Sequence, residues 1–165
     1  MKIWDDMLQD IEKNIPSGTE CELKMMHSKS ALTRFANSQI HQNVDEESAD
    51  IYLTLHNNSK TITTSTNLTA LKNPKDFVSS AMDSLNNSPI DKGWAGLPES
   101  SESFSGISKI DESTPDERAS KVKEFVSEGK KMNAAGYCSS YINNYFVWNT
   151  NGLNSSDSSS SAFID

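Results

Sequence analysis

The hydrophobic pattern of this chain changes its period along the sequence, and that change constrains the fold more than any other feature. Residues 4–14 carry apolar side chains at helical spacing, whereas residues 20–66 alternate apolar and polar side chains as strands do. Helical spacing returns over residues 74–86 and 115–132. Strands followed by separate helices are typical of an α+β fold, so we predict a mainly antiparallel sheet with three helices packed on it.

Two of the predicted helices have strong start signals. Asn73 precedes Pro74, which pairs an N-cap residue with proline at the first helical position. Thr114 precedes Pro115 and stands three residues before Glu117, the spacing of a capping box. The sequence therefore predicts that helices begin at residues 74 and 115.

The alternating region predicts four strands in meander order between residues 20 and 66. We interpret residues 57–60 as a hairpin turn and the acidic residues 45–47 as a second turn. Residues 136–148 form a further predicted strand, with tyrosines on one face and apolar side chains on the other. Apolar residues on both faces indicate a strand that is covered on both sides.

The last residues of the chain are rich in serine. A serine run alone is typical of a flexible linker, but the apolar residues 162–164 that follow it indicate a strand that is beginning. We therefore predict one domain over residues 1–153 and, over residues 154–165, the serine-rich start of a truncated following segment.

The charge balance excludes one class of function. The formal net charge is −8 and the sequence pI is about 4.8. Binding to nucleic acid depends on a basic face that neutralises phosphates, and no such stripe occurs here. We expect no direct contact with nucleic acid.

Compartment and redox state follow from the apolar runs and the cysteines. No apolar run approaches the roughly 20 residues of a membrane span, and acidic residues interrupt the first segment where a signal peptide would be apolar. We expect a cytoplasmic protein without membrane contact. Cys21 and Cys138 are then expected to be buried free thiols, although a disulfide between them is the alternative.

The residues themselves contain no catalytic pattern. His27, His41 and His56 lack the one-turn spacing of zinc-binding helices, and we interpret His27 and His56 as surface residues at strand ends. Glu47 and its acidic neighbours lack the glycine-pivoted loop of a calcium site. We expect no catalytic residue and no metal site in this chain. Accordingly, the isolated chain should neither bind zinc stoichiometrically nor cleave peptides.

One polar segment, residues 34–43, carries more amides than a solvated strand needs, because asparagine and glutamine are poor strand formers. Its side chains are candidates for hydrogen bonds to an extended peptide backbone. The alternative is an internal network that holds neighbouring strands together. The candidate substrate-binding residues are Arg34, Asn37, Gln39, His41 and Asn43.

This segment resembles the Arg-(Phe/Tyr)-Ala-Asn-Ser-x-Ile-His-Gln-Asn pattern of the TldD/PmbA family, once described as modulators of DNA gyrase, and it matches at every position. Shorter resemblances follow in the same order along nearly the whole chain. They are Ser65-Thr66-Asn67, Trp94-Ala95-Gly96-Leu97-Pro98, Ala135-Gly136-Tyr137 and Asn149-Thr150-Asn151-Gly152, where Thr150 departs from the usual serine.

The resemblance implies the N-terminal domain of a cytoplasmic two-domain protein that forms a homo- or heterodimer and degrades unfolded peptides. In such proteins catalysis belongs to TldD-type subunits, through a zinc motif of His-Glu-three residues-His in the C-terminal domain. PmbA-type subunits lack that motif, and nothing in this chain matches it. The domain would shape the substrate path and the subunit interface. The alternative is a non-catalytic partner subunit of PmbA type or a free-standing peptide-binding domain. Any effect on gyrase would be indirect.

Overall fold

The computed structural model describes residues 2–99, 113–129 and 132–165, and these residues form three helices and five strands. The elements in chain order are α1 Lys2–Glu12, β1 Glu20–Ala36, β2 Gln39–Asn57, β3 Lys60–Asn67, α2 Pro74–Asn87, α3 Pro115–Glu128, β4 Gly136–Asn149 and β5 Asn154–Ile164. The strands form one sheet in the order β3-β2-β1-β4-β5. The predicted α+β fold with an antiparallel sheet and three helices is confirmed.

The hairpin between β2 and β3 has the predicted turn. The two strands pair antiparallel from Asn57↔Lys60 to Asp50↔Asn67. Asn58 and Ser59 lie between them with φ values of 51° and 59°. Two consecutive positive φ angles are the mark of a two-residue hairpin loop whose twist matches that of the strands.

The number of strands in residues 20–66 was predicted wrongly, because three long strands replace the four expected. Residues 45–47 lie inside β2 and remain extended instead of turning. The turn is at Asn37 and Ser38, where φ is 49° and 59°. Polar residues stay extended here because β2 lies beside β1 in the sheet, and strand pairing overrides local propensity.

The chain divides into two units. The first unit comprises the described residues within Met1–Met26, Ala49–Phe104 and Tyr145–Ser156. The second unit comprises those within His27–Ser48, Ser105–Asn144 and Asp157–Asp165. Each has its own hydrophobic cluster.

The first unit is built on a well-filled apolar core. The alternating side chains Ile51, Leu53 and Leu55 of β2 are completely buried, as are Cys21 and Leu23 of β1. Helix α2 packs against β3 and against α1. The apolar stripe of α2 supplies the buried residues Val78, Ala81 and Leu85.

The core of the second unit is smaller and consists of Phe35, Val122 and Val126. The apolar spacing over residues 115–132 predicts that Phe125 faces inward, but Phe125 is 48% exposed, and Arg118 of the same helix is buried. Because Arg118, Val122 and Val126 are spaced by four residues, they share the buried face of α3. The helix ends at Glu128 instead of the predicted Met132, since Gly129 is its C-cap residue.

Both predicted helix starts are confirmed. The Asn73 side chain accepts a hydrogen bond from the Lys75 amide at the start of α2. Thr114 and Glu117 form the complete capping box, with the Glu117 amide donating to the Thr114 hydroxyl and the Thr114 amide donating to the Glu117 carboxylate. Local side-chain chemistry is sufficient to fix these two boundaries.

The tyrosine face of β4 is open, which corrects the prediction that this strand is covered on both sides. Tyr137, Tyr141 and Tyr145 are 40%, 43% and 45% exposed. The phenol group carries a polar tip that tolerates water, so an apolar ring on a strand does not require a cover.

The serine-rich end forms strand β5 at the edge of the sheet next to β4. The linker alternative is therefore wrong and the strand interpretation is correct. The proposed boundary between residues 153 and 154 stays a prediction.

Two further findings concern helices and loops. No helix among the described residues is both long enough and apolar enough to cross a bilayer. The sequence of residues 90–111 predicts an irregular segment, and of it the structure describes residues 90–99, which are free of helix and strand apart from a single bridge at Ile90. The remainder lies outside the described residues.

Candidate functional site

The polar segment that carries the candidate residues is a hairpin tip and not a single strand as predicted. Strand β1 ends at Ala36, β2 begins at Gln39, and the loop between them has only the two residues Asn37 and Ser38. Positive φ is tolerated by asparagine better than by most residues, which explains Asn37 at the first loop position. The tight loop places the end of β1 directly beside the start of β2.

All five candidate side chains are exposed, but the structure brings only two of them into one depression. Arg34 and His41 line a surface depression of about 420 Å³. Gln39 lines a different depression of about 260 Å³ with Lys123. The remaining lining residues of the first depression, named here the Arg34 depression, are Phe35, Ala36, Gln42, Gly136 and Tyr137.

The hydrogen bonds divide the candidate residues into two groups. Asn43 accepts a hydrogen bond from the Thr33 hydroxyl at 2.8 Å and donates to the Pro115 carbonyl at 3.4 Å. His41 donates from Nε2 to the Ala36 carbonyl at 3.0 Å. Asn43 therefore belongs to an internal network, as the alternative interpretation of this segment expected.

Arg34, Asn37 and Gln39 differ from Asn43. Within the described part of the chain, their side chains take part in no hydrogen bond or ion pair with another residue. Their donors and acceptors face solvent. These three side chains are thus available to a ligand without breaking an existing contact.

A buried arginine, Arg118, contacts β2, the second strand of the hairpin, and was not predicted from the sequence. Arg118 is 2% exposed, donates to the Asp45 carboxylate at 2.6 Å and to the Ser113 carbonyl at 2.8 Å. A buried charge must be paired, so this contact ties the start of α3 to β2. The sequence does contain a signal for this burial: Arg118 precedes Val122 by four residues, which places the arginine on the apolar face of α3.

A chain of polar side chains connects four strands of the second unit. His27 Nε2 lies 2.6 Å from the Glu47 carboxylate, and the Asn144 amide nitrogen lies 3.4 Å from His27 Nδ1. Ser158 donates to the Asn144 carbonyl oxygen at 2.8 Å. The hydrogen bond from His27 lowers the pKa of Glu47. His27, interpreted as a surface residue at a strand end, thus contacts polar side chains of neighbouring strands, because the sheet brings these four distant residues side by side.

In the first unit, two motifs that were recognised separately contact each other. The Asn149 side chain donates to the Pro98 carbonyl at 2.8 Å, and the Asn151 side chain donates to the Leu97 carbonyl at 3.2 Å. Asn149 is 1% exposed and its own carbonyl oxygen accepts from the amides of Asn151 and Leu153. The turn at residues 149–152 therefore holds the loop at residues 94–98 in place.

The same loop is held at its other end by an aromatic stack. Trp94 lies parallel to the His56 ring, with centroids 4.7 Å apart and planes inclined by 7°. The indole nitrogen donates to the Glu20 carboxylate at 2.7 Å. His56 is half-buried in this stack, so the histidine interpreted as a surface residue has a structural role.

The described residues do not form a zinc site. No three histidine, cysteine, aspartate or glutamate side chains lie close enough together to bind one ion within residues 2–99, 113–129 and 132–165. Cys21 and Cys138 are free thiols, the first buried and the second half-buried. Burial, and secondarily the charge of Glu22, raises the pKa of the Cys21 thiol to about 12, so it stays protonated. The zinc that the family resemblance implies for a full-length protein does not fit the residues present here.

Among known proteins, this chain matches solved structures by fold. No family model and no curated protein sequence matches the chain. The structure of TldE from Thermococcus kodakarensis superposes with a TM-score of 0.76 and 14% sequence identity, over 98% of this chain and 38% of that protein. A proposed modulator of a DNA gyrase from Thermotoga maritima gives a TM-score of 0.75 and 17% identity, over 99% of this chain and 38% of that one.

A third solved structure agrees with these two. A proposed modulator of DNA gyrase from Bacteroides thetaiotaomicron superposes with a TM-score of 0.62 and 15% identity, over 96% of this chain and 38% of its own. The chain thus spans little more than a third of the length of each protein. These matches confirm the predicted resemblance at the level of the fold, which is the fold found in TldE and in the gyrase-modulator structures.

Proposed function

We propose that this chain is the N-terminal domain of a TldD/PmbA-type zinc metallopeptidase complex that degrades unfolded peptides in the cytoplasm. In this proposal the domain contributes the substrate path and the subunit interface, while catalysis belongs to another part of the complex. The observation that carries the proposal is the exposed hairpin tip bearing Arg34, Asn37, Gln39 and His41 on a TldE-like fold.

The chemistry of the hairpin tip suits a substrate without fixed sequence. A peptidase for unfolded chains must hold many sequences, and hydrogen bonds to the peptide backbone achieve this without recognising side chains. Amide groups both donate and accept, so Asn37 and Gln39 match backbone carbonyls and amides alike. Because these side chains are exposed and have no partner within the described residues, binding costs no internal hydrogen bond.

The internal contacts of Asn43 provide a matched control within the same hairpin. In the full-length complex, Asn37→Ala and His41→Ala should raise KM for an unfolded substrate about threefold, since each removes about one hydrogen bond to the peptide. The melting temperature of Asn37→Ala should stay near that of the parent protein, and that of His41→Ala should fall only slightly, since it loses one exposed hydrogen bond to the Ala36 carbonyl. Asn43→Ala should instead lower the melting temperature, because Thr33 and the Pro115 carbonyl lose their partner.

The opposite pattern would contradict the substrate-path role. If Asn37→Ala and His41→Ala lower the melting temperature by several degrees and the folded enzyme retains its KM, the hairpin tip is purely structural. A full-length coding sequence without a His-Glu-x-x-x-His motif would support the second candidate, a non-catalytic partner subunit. Metal analysis of this isolated chain should find no stoichiometric zinc, since a zinc site needs three or four ligands in fixed geometry.

A further inference from the structure

The Arg34 depression places a positive side chain, that of Arg34, on an otherwise acidic protein. The chain has a formal net charge of −8. Arg34 nevertheless pairs with no carboxylate in the part of the chain that the structure describes. The acids that form ion pairs among the described residues include Asp10, Glu22, Asp45, Glu47 and Glu124. An exposed arginine without an ion-pair partner among the described residues is suited to bind an anionic group of a ligand.

The hairpin loop aligns His41 with Arg34. Counted back from the two-residue loop, Arg34 and His41 face each other across the strands, where opposite Cβ atoms are about 5 Å apart. The bond from His41 Nε2 to the Ala36 carbonyl requires a hydrogen on Nε2 and fixes the plane of the ring.

The surroundings of the pair are shaped by rigid groups. Phe35, next to Arg34, is 2% exposed and its ring lies 5.7 Å from that of Phe125, so the strand beneath the arginine is anchored. A Cβ atom on Gly136 would lie 1.8 Å from the Asp165 carbonyl, so only glycine fits at this position. The half-exposed Tyr137 ring completes the wall.

We propose that the Arg34 depression is a carboxylate-binding subsite, in which the Arg34 guanidinium donates two hydrogen bonds to a peptide carboxylate beside His41. Guanidinium and carboxylate match in planar two-bond geometry, which a lysine does not reproduce. The ligand class is a peptide bearing a carboxylate, either at its C-terminus or on an aspartate or glutamate side chain. This inference rests on the proposed peptide-binding function and adds a preference for acidic groups to it.

Three short acetylated peptides of equal length test the subsite on the 165-residue chain by NMR titration. One has a free C-terminal carboxylate, one has a C-terminal amide and an internal glutamate, and one has a C-terminal amide and no charge. Since exposed ion pairs are individually weak, we expect the better of the two acidic peptides to bind about fivefold more tightly than the neutral peptide. This acidic peptide should shift the His41 ring resonances. The ratio of its affinity to that of the neutral peptide should fall with added salt.

Variants at Arg34 and Lys123 separate specific binding of a carboxylate by Arg34 from a general attraction to positive charge. Arg34→Gln should abolish the advantage of the acidic peptide and Arg34→Lys should retain only part of it. Lys123→Gln, which removes one exposed positive charge from the neighbouring depression, should leave the advantage unchanged. Equal binding of all three peptides, no binding of any, or equal losses in Arg34→Gln and Lys123→Gln would overturn the proposal.

The peptide titration tests the subsite independently of any peptidase activity of the full-length complex. If the full-length complex cleaves no peptide but this chain still prefers the acidic peptide through Arg34, the proposed function fails and the subsite stands. If the complex is an active peptidase and the preference is absent, the subsite alone is refuted.

Discussion

The two units of this chain are stabilised by different kinds of contact. Among the described residues, the core of the first unit contains eleven buried side chains, whereas that of the second contains three. The second unit depends instead on the Arg118–Asp45 ion pair, the capping box of α3 and the hydrogen bonds of Asn43. It also exposes large apolar side chains, at Phe125, Met132, Tyr137, Tyr141, Phe163 and Ile164.

This difference bears on where substitutions should affect stability and where they should affect binding. Apolar burial is the main stabilising contribution to a fold, so the first unit, with its larger core, depends more on its interior than the second does. The candidate hairpin tip belongs to the second unit. We therefore expect substitutions in the first unit to affect stability and those at the hairpin tip to affect binding.

The largest effect should follow from emptying the core of the first unit. Leu53→Ala should lower the free energy of unfolding by about 3 kcal/mol, because Leu53 is completely buried and its loss leaves a cavity. Chemical denaturation monitored by circular dichroism measures the change. A loss below about 1 kcal/mol would mean that the core is loosely packed and that the contrast between the units is false.

A matched pair of valines tests the contrast more sharply. Val78 of the first unit and Val122 of the second are both fully buried. Val78→Ala should cost about 2 kcal/mol, the transfer of two methylene equivalents plus a cavity contribution. Val122→Ala should cost about 1 kcal/mol, because a cluster with few members relaxes into the space more easily. Equal losses in denaturation experiments would remove the distinction.

The capping box should matter to the second unit although it is exposed. Thr114→Ala should cost about 1 kcal/mol, since the Glu117 amide loses its acceptor. Thr114→Ser keeps a hydroxyl and serves as the control. Native-state hydrogen exchange of α3 amides reports the change, and an unchanged exchange rate in Thr114→Ala would show that the helix is held by its packing alone.

The smallest effect is a pH dependence of the same cap. Hydrogen bonds from the Thr114 amide and hydroxyl lower the pKa of Glu117. A carboxylate with a lowered pKa stabilises the folded state above the unfolded pKa of about 4.3, and that stabilisation is lost as the pH falls through the folded pKa. Protection of α3 should therefore decrease in acid.

Glu117→Gln should weaken this acid dependence, whereas Glu128→Gln, which removes a charge at the other end of α3, should not. Hydrogen exchange at several pH values below neutrality gives the comparison. Identical acid profiles for the two variants would mean that the net charge of the helix, and not the cap, is responsible.

The helix starts could be predicted from sequence because a cap is a local device. Asn73 with Pro74 and Thr114 with Glu117 contain all the interacting atoms within a few residues. The end of α3 at residue 132 was predicted wrongly, because the apolar spacing continues to Val126 and beyond it only Gly129 marks the stop. The exposure of Phe125 could not be predicted, because Phe125 follows Val122 by three residues and so has the spacing of a core residue.

The strands and the site were harder because their partners are distant in sequence. Residues 45–47 are acidic and resemble a turn, yet Asp45 is extended and pairs with Arg118, 73 residues away. His27 has no visible partner in the sequence, but the sheet supplies Glu47 and Asn144. The exposed group Arg34, Asn37, Gln39 and His41 was identified as a segment, but its division by a turn depends on strand pairing.

The order of strands in the sheet has a consequence for synthesis of the protein on the ribosome. Strand β1 pairs with β2 almost at once, but its other neighbour is β4, which begins about a hundred residues later; the Cys21 amide, for example, bonds to Thr150. After β3 is made, roughly 70 residues remain before β4 begins, so at roughly 5–20 residues per second one edge of β1 stays unpaired for about 4–14 s more. Unpaired edges invite association with other chains. The nascent chain is therefore most in need of a chaperone between the emergence of β3 and that of β4.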